Sequence, residues 1–186
     1  MKDGSEDIVD RRMVLCERLQ TSFDINELIT HCLQCHRFFV LCCQHLESDT
    51  VCHHHRLVFT DGSCLDNGKI GATAGIGVAI GTVQVVAEHL CQWSIPVDNT
   101  IDAYPKRTSQ RAELLAALEG LRKISMADSD ENDERHTAPK HRGKEAMCWV
   151  IATDSEYVVK GMTEWLPVWK VSFPSNGGAV PSLSHL

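Results

Sequence analysis

The sequence predicts an α/β fold, a mixed β-sheet flanked by helices. Three observations predict it. Two apolar runs, Leu57–Thr60 and Cys148–Thr153, each stop on an aspartate, as buried strands of an α/β sheet do. Two glycine-punctuated strands, Gly75–Ile80 and Val83–Trp93, follow the first run and turn at Gly81-Thr82. Leu114, Ala117, Leu118, Leu121 and Ile124 then recur at helical spacing ahead of the second run. The order is strand, strand, strand, helix, strand, helix, and the link through the first helix is long enough for a parallel crossover.

The elements follow in order. Residues 1–31 form an N-terminal extension in which Met13, Val14, Leu15 and Leu19, with Ile8, fit one side of a short helix. Phe23, Ile25, Leu28 and Ile29 fit another. Residues 32–55 are a segment rich in cysteine and histidine. Residues 56–170 carry the domain itself. Its first strand ends at Asp61, and Pro105 marks an irregular approach to a helix capped by Thr108 or Ser109. Residues 125–147 are polar and without period, which predicts a mobile loop. Ser155 caps a second, short helix carrying Tyr157, Val158, Val159 and Met162, and Pro167 ends it. Residues 171–186 read as an irregular tail.

Composition narrows the function classes. Hydrophobic residues make up 43% of 186, enough for one core plus an appendage. The acidic opening Met1–Asp10 has no apolar signal core, so the nine cysteines are expected to be reduced thiols in an intracellular protein. Nothing separates nucleus, cytoplasm and mitochondrion. The 18-residue uncharged stretch Ile70–Ala87 holds four glycines and fits a hairpin, so no membrane association is expected. A formal charge of −7 argues against simple phosphate binding, but residues 1–31 and 125–147 carry most of it. The domain core is close to neutral.

The chemistry lies in three carboxylates. Thr60-Asp61-Gly62-Ser63 and Thr153-Asp154-Ser155 each put an aspartate where an apolar strand stops. Taken singly, such aspartates are usually turn formers or caps. If the two strands are parallel neighbours, both arrive on one rim, where α/β sites form. Two carboxylates so close repel, and a hard divalent cation, Mg²⁺ or Mn²⁺, removes that penalty. Glu113, one turn into the first helix, reaches the same rim.

The blocks LVFTDGSCLDNGKIGATAGIGVAIG, TSQRAELLAALEGLRKI and VIATDSEYVVKGMTEWLPVWK together resemble type 1 ribonuclease H over roughly residues 57–170. The resemblance implies a ribonuclease H-like fold, an RNA–DNA hybrid partner, and endonucleolytic hydrolysis of the RNA strand by two-metal-ion catalysis with Mg²⁺. It makes Asp61, Glu113 and Asp154 the catalytic metal ligands, Asp61 bridging both ions. It places Gly62, Ser63, Ser109 and Gln110 at the substrate, with Gln110 in the position of a minor-groove reader. Ser109, where relatives commonly have asparagine, is better explained as a helix cap.

The family pattern has a fourth carboxylate after a fifth strand, near the start of a final helix. Val171–Leu186 contains no Asp or Glu, so the last strand and helix are expected to be missing. That leaves Cys148–Thr153 as an exposed sheet edge and the second metal short of a ligand. The alternative to the enzyme is therefore a catalytically impaired nucleic-acid-binding relative.

His31–His55 holds 11 cysteines and histidines in 25 residues. Cys32-x2-Cys35 followed by Cys42, Cys43, His45, Cys52 and His53 has the density of a zinc site, although its spacing matches no single finger pattern. Buried thiols and solvated histidines are the plain alternative, and a zinc-stabilised interaction module is the third functional reading. Cys16, Cys64, Cys91 and Cys148 are isolated and expected to pack in the core. No protein partner is indicated.

Overall fold

A computed structural model of the chain describes residues 11–82, 91–129, 148–166 and 168. Among these residues six strands form one sheet. β1 (Ile29–His31), β2 (Phe38–Val40), β3 (His55–Leu65), β4 (Thr73–Ala79) and β5 (Gln92–Pro96) neighbour one another in chain order, all antiparallel. β6 (Cys148–Ala152) lies parallel to β3 on its other edge, from His55↔Cys148 to Phe59↔Ala152. The expected mixed sheet with one parallel crossover is thus present. β6 has no partner on its outer edge among the described residues.

The helices are α1 (Glu17–Ser22), α2 (Ser109–Ser129) and α3 (Glu156–Lys160), the last continuing into a π-helical turn over Gly161–Trp165. Ser155 caps α3 as expected, its hydroxyl accepting the Val158 amide at 3.3 Å. Thr108, not Ser109, caps α2: the Arg111 amide donates to its hydroxyl at 3.3 Å. Ser109 is the first helical residue, and its amide donates to the Asn67 side chain at 3.0 Å.

The packing of α2 differs from the leucine stripe. Ala112, Ala116, Gly120 and Ile124 form the row laid on the sheet, while Leu118 and Leu121 are 44% and 45% exposed. Small residues at successive i+4 positions let the helix approach β3 and β4 closely, and size-blind apolar periodicity misses that. A Cβ on Gly120 would stand 2.6 Å from the Thr60 methyl. Val58, Val78, Ile80 and Ile124 make one core cluster, and Ile76, Val97 and Ala116 a second. A fully buried side chain such as Val58 contributes about 1.5–3 kcal/mol.

Other expectations need correction. β3 runs through Asp61 to Leu65, because β4 pairs with it all the way from Phe59↔Ala79 to Leu65↔Thr73. Backbone pairing there overrides the end of the apolar run. β5 begins at Gln92 and runs to Pro96, beyond the predicted Trp93. α2 extends five residues past Ile124, since Ser125–Ser129 contains no helix breaker. Residues 29–31 and 38–40 are strands that no pattern announced, each too short to show alternation. Cys16 and Cys148 are exposed rather than packed in the core, whereas Cys91 does pack against it. Ile8, the first part of the predicted strand Val83–Trp93, the loop residues 130–147, Pro167 and the tail 171–186 lie outside the described residues. No helix among the described residues is long and apolar enough to cross a membrane.

Candidate active site

The parallel register builds the site. Phe59 pairs with Ala152, so the same offset carried two residues further sets Asp154 beside Asp61. β6 stops at Ala152, however, which leaves the flank of β3 at Asp61 open. Successive residues of a strand face opposite ways, so Thr60 and Gly62 face α2 while Asp61 faces away from it. Glu113 reaches the open flank from α2. The carboxylate oxygens of Asp61, Glu113 and Asp154 lie within 4.8 Å of one another. Asp61 and Asp154 are exposed and Glu113 is half-buried.

Gly62 makes that approach possible. A Cβ at this position would overlap the Ala112 carbonyl carbon and the Glu113 amide nitrogen, so only glycine admits the helix backbone. The Gly62 amide donates to Glu113 Oε2 at 3.2 Å and orients the carboxylate. Of the other residues expected at the substrate, Gly62 is buried, Ser63 and Gln110 are exposed, and Ser109 is half-buried.

Burial raises the Glu113 carboxyl above its ordinary value, and the charges of Asp61 and Asp154 raise it further. A carboxyl raised on folding stabilises the fold fully below the ordinary carboxylate range, and that stability is lost as pH rises through the raised value. Metal-free protein is therefore expected to lose thermal stability as pH rises above the ordinary carboxylate range. Glu113→Gln should flatten that decline in unfolding curves recorded across the range; an unchanged slope would show that Glu113 is not strained. Three mutually repelling hard oxygen donors fit a divalent cation.

The loop ahead of α2 holds a network that pattern reading missed. Asp102 accepts two hydrogen bonds from Arg111 Nη2, at 2.7 and 2.8 Å, and one from Nε at 3.1 Å. Arg107, 7% exposed, approaches Asp102 at 3.4 Å and donates to Asn99 Oδ1 at 3.2 Å and to the Tyr104 carbonyl. Burial alone would raise the Asp102 carboxyl, but the Arg111 hydrogen bonds, the Tyr104 amide and both guanidinium charges outweigh it and hold it low. The network fixes the start of the helix that carries Glu113. Its sequence signal is only three charged residues around Pro105, which no periodicity marks. Asp102→Asn is expected to cost about 2–3 kcal/mol, because two mostly buried guanidinium groups lose their counter-charge. Chemical denaturation measures it, and a cost below about 0.5 kcal/mol would place the network among ordinary surface pairs.

The structure divides the seven thiol and imidazole groups that gave the segment the density of a zinc site. Cys32 and Cys35 gather with His53, and Cys42 and His45 gather with Cys52, each set within 4.8 Å. Cys43 joins neither and hydrogen-bonds the Cys16 thiol, which raises it. A further set, His54, His55 and Cys148, lies where β6 starts beside β3.

The sequence is similar to those of known proteins. A family model described as RNase H matches residues 53–179. A Ribonuclease H of Bordetella avium is 34% identical over 113 residues, covering 61% of this chain and 52% of the relative. A Ribonuclease H of Schizosaccharomyces pombe is 32% identical over 124 residues, covering 67% of this chain and 35% of the relative. Ribonuclease H1 of Mus musculus is 30% identical, covering 61% and 30%. A solved foamy viral protease-reverse transcriptase in complex with dsDNA aligns at 26% identity over 62% of this chain and 57% of its own, with a TM-score of 0.38. The chain spans about half the length of the bacterial relative and about a third of the two eukaryotic ones. The family match covers well over half of the sequence and includes all three carboxylates, and the chain belongs to the ribonuclease H family.

Proposed function

We propose that this chain is an endoribonuclease that hydrolyses the RNA strand of an RNA–DNA hybrid with Mg²⁺ as its divalent ion. The observation that carries this reading is the convergence of Asp61, Glu113 and Asp154 from β3, α2 and the end of β6 within 4.8 Å. Family membership adds the reaction class.

Bound divalent ions in a two-metal arrangement would activate a water and neutralise the charge that develops on the scissile phosphate and the leaving 3′ oxygen. The chain's own carboxylates would hold those ions. Asp61, on the central strand, would hold the ions together with Asp154, which stands just beyond the end of the neighbouring strand. Glu113 is held in place by the Gly62 amide at 3.2 Å. Ser63, Ser109 and Gln110 lie on the chain beside Asp61 and Glu113, within reach of a minor groove that displays 2′-hydroxyls. A donor and acceptor such as the Gln110 amide suits those hydroxyls and the base edges.

The test is cleavage of end-labelled RNA–DNA hybrid, double-stranded RNA and double-stranded DNA with Mg²⁺. Cutting confined to the RNA of the hybrid is expected. Hybrid that is bound but uncut would identify a binding protein instead, and cutting of duplex DNA would overturn the substrate assignment.

A further inference from the structure

We propose that the cysteine- and histidine-rich segment binds two zinc ions on interleaved ligand sets, Cys32, Cys35 and His53 for one and Cys42, His45 and Cys52 for the other. Two tight turns supply the first ligands. In one, the His36 amide donates to the Cys32 carbonyl at 2.8 Å and the Cys32 amide to the Arg37 carbonyl at 3.1 Å, with His36 at a left-handed φ of 58°. That conformation is uncommon outside glycine, and it folds Cys32 and Cys35 onto one side. In the other, the His45 amide donates to the Cys42 carbonyl at 3.0 Å, and Cys42 Sγ stands 3.2 Å from His45 Nδ1. Both are pairs spaced i, i+3. The two turns flank β2.

Cys52 and His53 are consecutive residues leading into β3, and each serves a different set. Cys35 Sγ stands 3.9 Å from His53 Nε2, whose ring stacks on the fully buried Phe39 at 4.2 Å between centroids. Ligand atoms on a tetrahedral zinc stand about 3.6 Å apart. The observed 4.8 Å limit therefore closes by small side-chain rotations. Thiolate and imidazole select zinc, whereas hard Mg²⁺ prefers the carboxylates across the sheet. Each cysteine releases its proton to solvent as its sulfur bonds the metal.

The architecture gives the ions a task. The ladder between β2 and β3 is a single pair, Phe39↔Arg56. Beyond that pair the hairpin is held by the isolated bridge Arg37↔Gly81, with the Phe38 amide donating to the Ile80 carbonyl at 2.9 Å and the Thr82 amide to the His36 carbonyl at 2.9 Å, and small elements of this kind commonly need a metal or disulfide. Two ions sharing the Cys52-His53 dipeptide would anchor both ends of β2 to the strand that carries Asp61.

The test is elemental analysis of the full chain, purified under reducing conditions after expression with zinc. Two zinc ions per chain are expected. Cys35→Ser and Cys42→Ser should each leave one and the double substitution none, while Cys43→Ser should leave two. Cobalt titration of the metal-free wild-type chain gives the count without relying on variants: thiolate-to-cobalt absorbance should saturate at two equivalents. One equivalent, lost with either substitution, would overturn the two-set assignment in favour of a single site. No bound zinc and no cobalt–thiolate absorbance would overturn the proposal altogether.

Discussion

Asp61→Asn is expected to reduce hybrid cleavage about a thousandfold or more, a loss of about 4 kcal/mol of transition-state stabilisation. The same substitution should make the metal-free protein more stable. Burial first, and then the charges of Asp61 and Asp154, raise the Glu113 carboxyl, so metal-free protein at neutral pH carries the repulsion of three converging carboxylates. Removing one charge relieves part of it. A rise in melting temperature of roughly 2–4 °C in the presence of chelator corresponds to about 1 kcal/mol in a chain of this size. Added Mg²⁺ should stabilise the wild type and leave the variant unchanged. Opposite signs for stability and activity mark a functional carboxylate. If both fell together, Asp61 would be a structural residue and the site assignment would fail.

Gly62→Ala should cost about 3 kcal/mol and most of the activity. One methyl is added, but it meets the Ala112 and Glu113 backbone rather than a side chain that can rotate away. α2 must move outward, which separates the Gly62 amide from Glu113 Oε2 and opens the contacts of Ala112, Ala116 and Gly120 with the sheet. Denaturant unfolding gives the stability change, and single-turnover cleavage of the remaining folded protein gives the activity change. Gly120→Ala is the comparison. Its Cβ, about two turns beyond Glu113 on α2, would meet the Thr60 methyl at 2.6 Å, a side chain rather than backbone. It should destabilise the fold with a smaller effect on cleavage. Equal loss of cleavage in the two variants would remove the special position of Gly62.

Particular residues show what could be read in advance. Asp61 and Asp154 were legible because each follows an apolar run, and the parallel pairing of those runs then fixes their separation. Glu113 was legible from its place one turn into a periodic helix. The face that α2 buries was not, because Ala112, Ala116 and Gly120 contribute closeness rather than hydrophobic bulk. The Asp102, Arg107 and Arg111 network also escaped, since charged residues in a loop read as solvated until the fold buries them. β1 and β2 escaped because three residues cannot display a period. The cysteine–histidine segment was legible as a cluster but not as two sets. Its division depends on turns at Cys32–Arg37 and Cys42–His45 that bring ligands from distant positions together.

On the proposed function, Asp61, Glu113 and Asp154 together hold the divalent ions needed to cut the RNA of a hybrid. The most direct measurement is the Mg²⁺-dependent initial rate on a labelled RNA–DNA hybrid for the wild type and for Glu113→Gln, with circular dichroism confirming that both are folded. Glu113→Gln keeps the shape and the Gly62 contact but removes the charge that joins α2 to the rim. RNA-strand cleavage by the wild type is expected, with a loss of about a hundredfold or more in the variant, about 2.7 kcal/mol. Equal rates at saturating Mg²⁺ would contradict the proposed function.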